Sequence, residues 1–125
     1  MQSLQLSLPS APKAVGQARR WVRAQLPTLR SDRLDTVILA TSEAVTNSVL
    51  HGEGPVLVEV RPGRTVVRVE VTDRGSREPR LRRAHGETEE GGRGLHIVEL
   101  LTSRWGVKPA SRGPGKTVWF EVEST

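Results

Sequence analysis

The spacing of the valines and leucines changes along this chain, and that change limits what it can fold into. Val15, Ala18, Val22 and Leu26 recur at helical intervals behind Ser10, a good N-cap, with Pro12 in the first turn, until Pro27 stops the run. A second helix starts at Ser31, with Asp32 where the helix dipole favours negative charge. Its stripe is Leu34, Ile38, Val45 and Val49, and His51-Gly52 closes it. The period then drops to two. Val56, Val58 and Val60 alternate, Pro62-Gly63 turns, and Val67, Val69 and Val71 alternate again, which predicts an antiparallel hairpin. Leu4, Leu6 and Leu8 predict a short first strand ended by Pro9, and Leu95, Val98 and Leu101 a third helix. After Trp105-Gly106-Val107 and a Pro/Gly-rich turn, Val118, Phe120 and Val122 make a last strand with Trp119 on its other face.

Helices and strands alternate only partly, and hairpins interrupt the order, which argues against a doubly wound parallel sheet. The expected class is α+β: a two-layer α/β sandwich with one mixed, mostly antiparallel sheet and helices over one face. A length of 125 residues suits one domain, residues 1–125, and no repeat or linker is visible. Between Gly75 and Gly92 only Leu81 and Ala84 are apolar, the pattern of a mobile surface loop.

Composition removes several function classes. Without cysteine there is no disulfide, thiolate zinc site or cysteine nucleophile. No segment approaches the roughly 20 apolar residues that cross a bilayer, and the N-terminus lacks the basic start and apolar run of a signal peptide. The expectation is a soluble cytoplasmic protein with no membrane partner. Three Trp, one Phe and no Tyr are too few for a stacking platform on single strands. A net charge of +5 and a pI near 10.9 raise the question of nucleic acid. Arg74, Arg77, Arg80, Arg82 and Arg83 cluster, yet no nucleic-acid-binding signature accompanies them, and a solvated basic loop explains them as well.

Gly115-Lys116-Thr117 resembles the end of a phosphate-binding P-loop, but Ala110 stands where the first glycine belongs and a strand follows instead of a helix. The Gly91-Gly92-Arg93-Gly94-Leu95 loop does open a helix. There, unpaired first-turn N–H groups and the helix dipole suit phosphate oxygens, glycine permits close approach, and Arg93 could add donors. Glu43 and Asn47 are four residues apart on the second helix, stacked about 6 Å apart along its axis, and His51 continues the line. An amide oxygen is a hard ligand for Mg²⁺, and a nearby carboxylate can take a proton from an attacking hydroxyl. Asp73 ends a strand and Gly75 follows. A carboxylate there can accept from the exocyclic amine of adenine, and guanine would oppose it with an oxygen, while Gly75 would let the purine lie on the backbone.

In order, Glu43-Ala44-Val45-Thr46-Asn47-Ser48-Val49-Leu50-His51-Gly52, Val71-Thr72-Asp73-Arg74-Gly75, Gly91-Gly92-Arg93-Gly94-Leu95 and Gly115-Lys116-Thr117-Val118 resemble the four boxes of the gyrase, heat-shock chaperone and histidine-kinase (GHKL) ATPase superfamily. The small size and the Glu-Ala-Val-Thr-Asn-Ser wording look most like its stand-alone anti-sigma-factor serine/threonine kinases. The resemblance implies the Bergerat-type ATP-binding fold, with ATP and Mg²⁺ as ligands. It implies Glu43 as general base, Asn47 as magnesium ligand, and Asp73 with Gly75 as adenine anchor. Gly92 and Gly94, with Arg93 and Leu95, would form the phosphate loop, His51 would lie on the nucleotide side, and Thr117 would support the base from the last strand. The segment Ser76–Glu90 corresponds to a lid, Arg-rich here and nearly without apolar residues. The implied partners are a sigma factor and an antagonist (anti-anti-sigma) protein, with a homodimer as a further option through the exposed first strand. A nucleotide-binding, partner-binding module with little or no phosphotransfer is the alternative that the unusual lid leaves open.

Overall fold

The structure, a computed structural model, describes residues 2–75 and 90–125, with backbone only for 90–94. The elements run β1 (Leu4–Leu8), α1 (Lys13–Gln25), α2 (Ser31–His51), β2 (Val56–Arg61), β3 (Val66–Asp73), α3 (Glu90–Leu101), β4 (Arg104–Pro109) and β5 (Lys116–Glu123). The sheet order is β1-β2-β3-β5-β4, and every neighbouring pair is antiparallel. The sheet is therefore not mixed as the pattern suggested. Two helices packed on each other separate β1 from β2, so the chain re-enters the sheet reversed. β5 closes a hairpin with β4 by sliding between it and β3.

One face carries the core. Val56, Val58 and Val60, then Val67, Val69 and Val71, then Val118, Phe120 and Val122 are buried against the helices. The helices present Ala14, Ala18 and Val22 from α1, Val37, Ala44 and Val45 from α2, and Leu95 and Val98 from α3. Short side chains on both layers allow close approach, so the scarcity of aromatics costs the core little. Among the described residues no helix is long and apolar enough to cross a membrane.

The other face is polar and covers itself. Arg68 donates to Glu70 at 2.8 Å and to Glu121 at 2.9 Å, and its guanidinium lies 4.2 Å from the Trp119 ring centre. Lys108 reaches Glu70 at 3.4 Å. Burial alone would push the Glu70 carboxyl up, but the Arg68 hydrogen bond and the charges of Lys108, Arg68 and Arg61 outweigh it and hold it below the usual carboxylate range.

Two local expectations differ from the structure. α1 begins at Lys13 with Pro12 at its N-cap position and no side-chain cap, because the tight backbone turn Ala11 N–H to Pro9 O and Ala14 N–H to Ala11 O replaces the Ser10 cap. α2, by contrast, starts at Ser31 as its pattern predicted. Strand β4 appears where the pattern gave no element. Gly106 fits beneath Trp119 there, and a Cβ would lie 2.9 Å from the indole. The Ser76–Glu90 lid and arginines 77, 80, 82 and 83 lie outside the described residues, apart from the backbone of Glu90.

Candidate functional site

The site is built where the C-terminus of α2 meets the tip of β3. α2 ends at His51, and the Gly52 N–H bonds the Ser48 carbonyl at 2.8 Å, so the chain leaves the helix directly over Asp73. A Cβ on Gly52 would stand 2.4 Å from Asp73 Cγ; one on Gly75 would stand 3.0 Å from Gly52 Cα. Gly115, with φ +127°, has room for no side chain, since a Cβ would meet the Asp73 carbonyl oxygen at 2.1 Å. Gly52 and Gly75 form a cradle around the carboxylate, Gly115 lies against the Asp73 backbone, and the Arg74 N–H to Glu53 O bond at 2.8 Å ties the rim together.

Asp73 is 2 % exposed. Its Oδ1 accepts the Gly75 N–H at 2.8 Å, and the Lys116 ammonium sits 2.8 Å from Oδ1 and 3.0 Å from Oδ2. Lys116 is the charged partner of Asp73 that motif matching passed over. Strand alternation carried the signal, because Lys116 falls in step with the buried Val118, Phe120 and Val122. By the same alternation Thr117 points away. Its hydroxyl lies 2.7 Å from that of Thr72, on the face opposite Asp73, so support of the base by the Thr117 side chain does not match the geometry.

Along α2, Asn47 is buried at 1 % exposure and His51 is half-buried. Glu43 is half-buried and lines a groove of about 460 Å³ between α1 and α2, with Val15, Arg19, Arg23 and Asp35 among its walls. The Ser48 hydroxyl, also 1 % exposed, has no hydrogen-bond partner among the described residues.

α3 packs on α2, on the same side of the sheet. Gly92, Arg93 and Gly94 do not precede this helix as a loop. They lie within it, since α3 starts at Glu90. The first-turn N–H groups of a helix lack intrahelical acceptors, so an anion site at this end remains available to the backbone. Leu95 is buried and anchors α3 to the core, and the Arg93 side chain lies outside the described residues.

The model of the histidine kinase-like ATPase domain matches residues 8–122. The chain belongs to the histidine kinase-like ATPase family. Among solved structures, this ATPase domain is similar to the RsbU and RsbW domains of a Mycobacterium tuberculosis protein, with a TM-score of 0.70 and 21 % identity. The match covers 98 % of this chain and 32 % of that one, so the domain spans about a third of the mycobacterial chain. It is also similar to the histidine kinase AdeS of Acinetobacter baumannii, with a TM-score of 0.53 and 10 % identity, over 100 % of this chain and 70 % of that one. At such identities the likeness is one of fold. No curated protein sequence matches.

The residues present fit the ligands of this ATPase family. Gly52 and Gly75 present only backbone to the Asp73 carboxylate, and Ser48, one helical turn before Gly52, holds a buried hydroxyl without a partner among the described residues. Among the described residues no group of three His, Asp or Glu side chains forms a metal cage. A lone amide such as Asn47 suits Mg²⁺, which keeps waters and takes its remaining oxygens from substrate phosphates.

Proposed function

We propose that this domain binds ATP with Mg²⁺ and transfers the γ-phosphoryl group to a serine or threonine hydroxyl of an antagonist protein, acting as an anti-sigma regulatory kinase. The observation that carries the reading is the layout of α2. Gly52 covers the carboxylate that would hold adenine. Glu43 stands nine residues back along the helix, about 13 Å at the helical rise, the scale of an extended nucleoside triphosphate. One helix thus serves both ends of the ligand.

Asp73 accepts the N–H of the exocyclic amine of adenine, and Gly75 leaves the purine face open. The first turn of α3 offers N–H donors to the phosphates. Asn47 would hold Mg²⁺, which when bound offsets charge on the β- and γ-phosphates. Glu43 accepts the proton of the incoming hydroxyl as its oxygen bonds to the γ-phosphorus and the bond to the β-phosphate oxygen breaks, leaving ADP and a phosphoprotein. The groove beside Glu43 is open to an acceptor segment.

The test uses labelled γ-phosphate and a cognate antagonist. Transfer is expected from the wild-type chain, with Glu43→Ala reducing its rate at least about a hundredfold while ATP affinity stays within a few fold. Transfer by Glu43→Ala at the wild-type rate would refute this role. ATP affinity that depends on Asp73, without labelled product from any partner, would favour the nucleotide-binding module.

A further inference from the structure

We infer that Lys116 reads the nucleobase together with Asp73, donating to N1 of adenine while Asp73 accepts from the exocyclic amine. The inference rests on the ATP reading above and names a specificity residue for it.

The last cross-strand pair of β3 and β5 is Asp73 with Lys116, both on the helix-covered face. Gly115 fixes where that pair sits, because its backbone lies against the Asp73 carbonyl at a φ that other residues rarely adopt. An ionised carboxylate offers about four acceptor positions and an ammonium three N–H donors. Oδ1 receives both the Gly75 N–H and Lys116, Oδ2 receives Lys116 alone, and Lys116 directs two of its N–H groups at this carboxylate. Among the described residues this leaves one acceptor position on Oδ2 and one N–H on Nζ without a partner, on atoms 3.0 Å apart. The two side chains are only 1 % and 8 % exposed, so bulk water supplies little to either.

A donor next to an acceptor is what adenine presents on its pairing edge, in the exocyclic amine and ring N1. The Asp73–Lys116 pair complements both. Guanine held by the same sugar would place a carbonyl oxygen at Asp73 and an N–H at Lys116, two reversed contacts instead of one. Selection against guanine is then built from a charge pair, with the lysine as its second half.

The experiment is titration calorimetry of the full chain with Mg²⁺ and either ATP, GTP or 1-deaza-ATP, in which ring N1 is replaced by C–H. Loss of a hydrogen bond from a charged donor is expected to weaken 1-deaza-ATP about tenfold or more relative to ATP in the wild type. In Lys116→Met that ratio falls to near one, and in Lys116→Arg it is kept. A merely structural lysine would lower both affinities and leave the ratio unchanged. Should Lys116→Met not fold, the wild-type ratio and Lys116→Arg decide. Equal affinity of the wild-type chain for ATP and 1-deaza-ATP overturns the role of Lys116 and leaves ATP binding standing. No ATP binding at all overturns both.

Discussion

Gly52→Ala is expected to remove nucleotide binding and about 3 kcal/mol of stability, for a steric reason confined to one atom. Gly52 has φ −95° and ψ −169°, extended backbone that alanine adopts freely, so conformational strain contributes nothing. The added Cβ would stand 2.4 Å from Asp73 Cγ and 2.5 and 2.7 Å from its oxygens, where ordinary contact begins at 3.4 Å. The carboxylate must then retreat by about 1 Å. The 2.8 Å bonds from the Gly75 N–H and from Lys116 would stretch beyond hydrogen-bond range. Each is a bond to a charged group worth about 1.5 kcal/mol or more when buried, and losing both gives the stated figure. Gly54→Ala is the control. Gly54 has φ +72°, and its Cβ would meet only the flexible Arg74 side chain at 3.1 Å. That variant should lose about 1 kcal/mol and keep its ATP affinity. Urea unfolding followed by circular dichroism gives the first quantity and ATP calorimetry the second. If Gly52→Ala and Gly54→Ala behave alike in both, the cradle around Asp73 has no functional meaning.

Two further expectations concern the polar face. Glu70 titrates below its unfolded value, so its contribution is complete above the ordinary glutamate range, about 4.3. It is lost as pH falls through the lower folded value. Stability against urea should therefore drop on acidification below about pH 4.5, less steeply in Glu70→Gln; identical slopes in the two proteins would contradict the Arg68–Glu70 assignment. Gly106→Ala should cost about 1–3 kcal/mol, because its Cβ would press on the Trp119 ring at 2.9 Å, and ATP affinity should not change. An unaltered urea midpoint would show that β4 and Trp119 are not packed this way.

Much of the fold was legible because its layers are built from strict periodicity. Val56 to Val60, Val67 to Val71 and Val118 to Val122 face one core, as their alternation required. β4 was not legible. It is a short edge strand with Gly106 at its centre, where a side chain would collide with Trp119, so its apolar signal is reduced to Trp105 and Val107. The all-antiparallel order was also hidden, since it depends on which strands become neighbours and not on the pattern of any one of them. Glu43, Asn47 and Asp73 could be chosen from local spacing and motif order. The Asp73–Lys116 pair needed the β3–β5 register, which joins residues 43 positions apart. Thr117 shows the opposite failing: a motif match drew attention to a residue that the alternation with Trp119 had already placed on the far face.

The central claim is that Asp73, in its glycine cradle, anchors a purine nucleotide. Calorimetry of the wild-type chain and of Asp73→Asn with ATP and Mg²⁺ tests it most directly. Saturable binding by the wild type, weakened at least about tenfold by the asparagine, is the expected result. Equal affinity in the two proteins, or no binding by a folded wild-type chain, would contradict it.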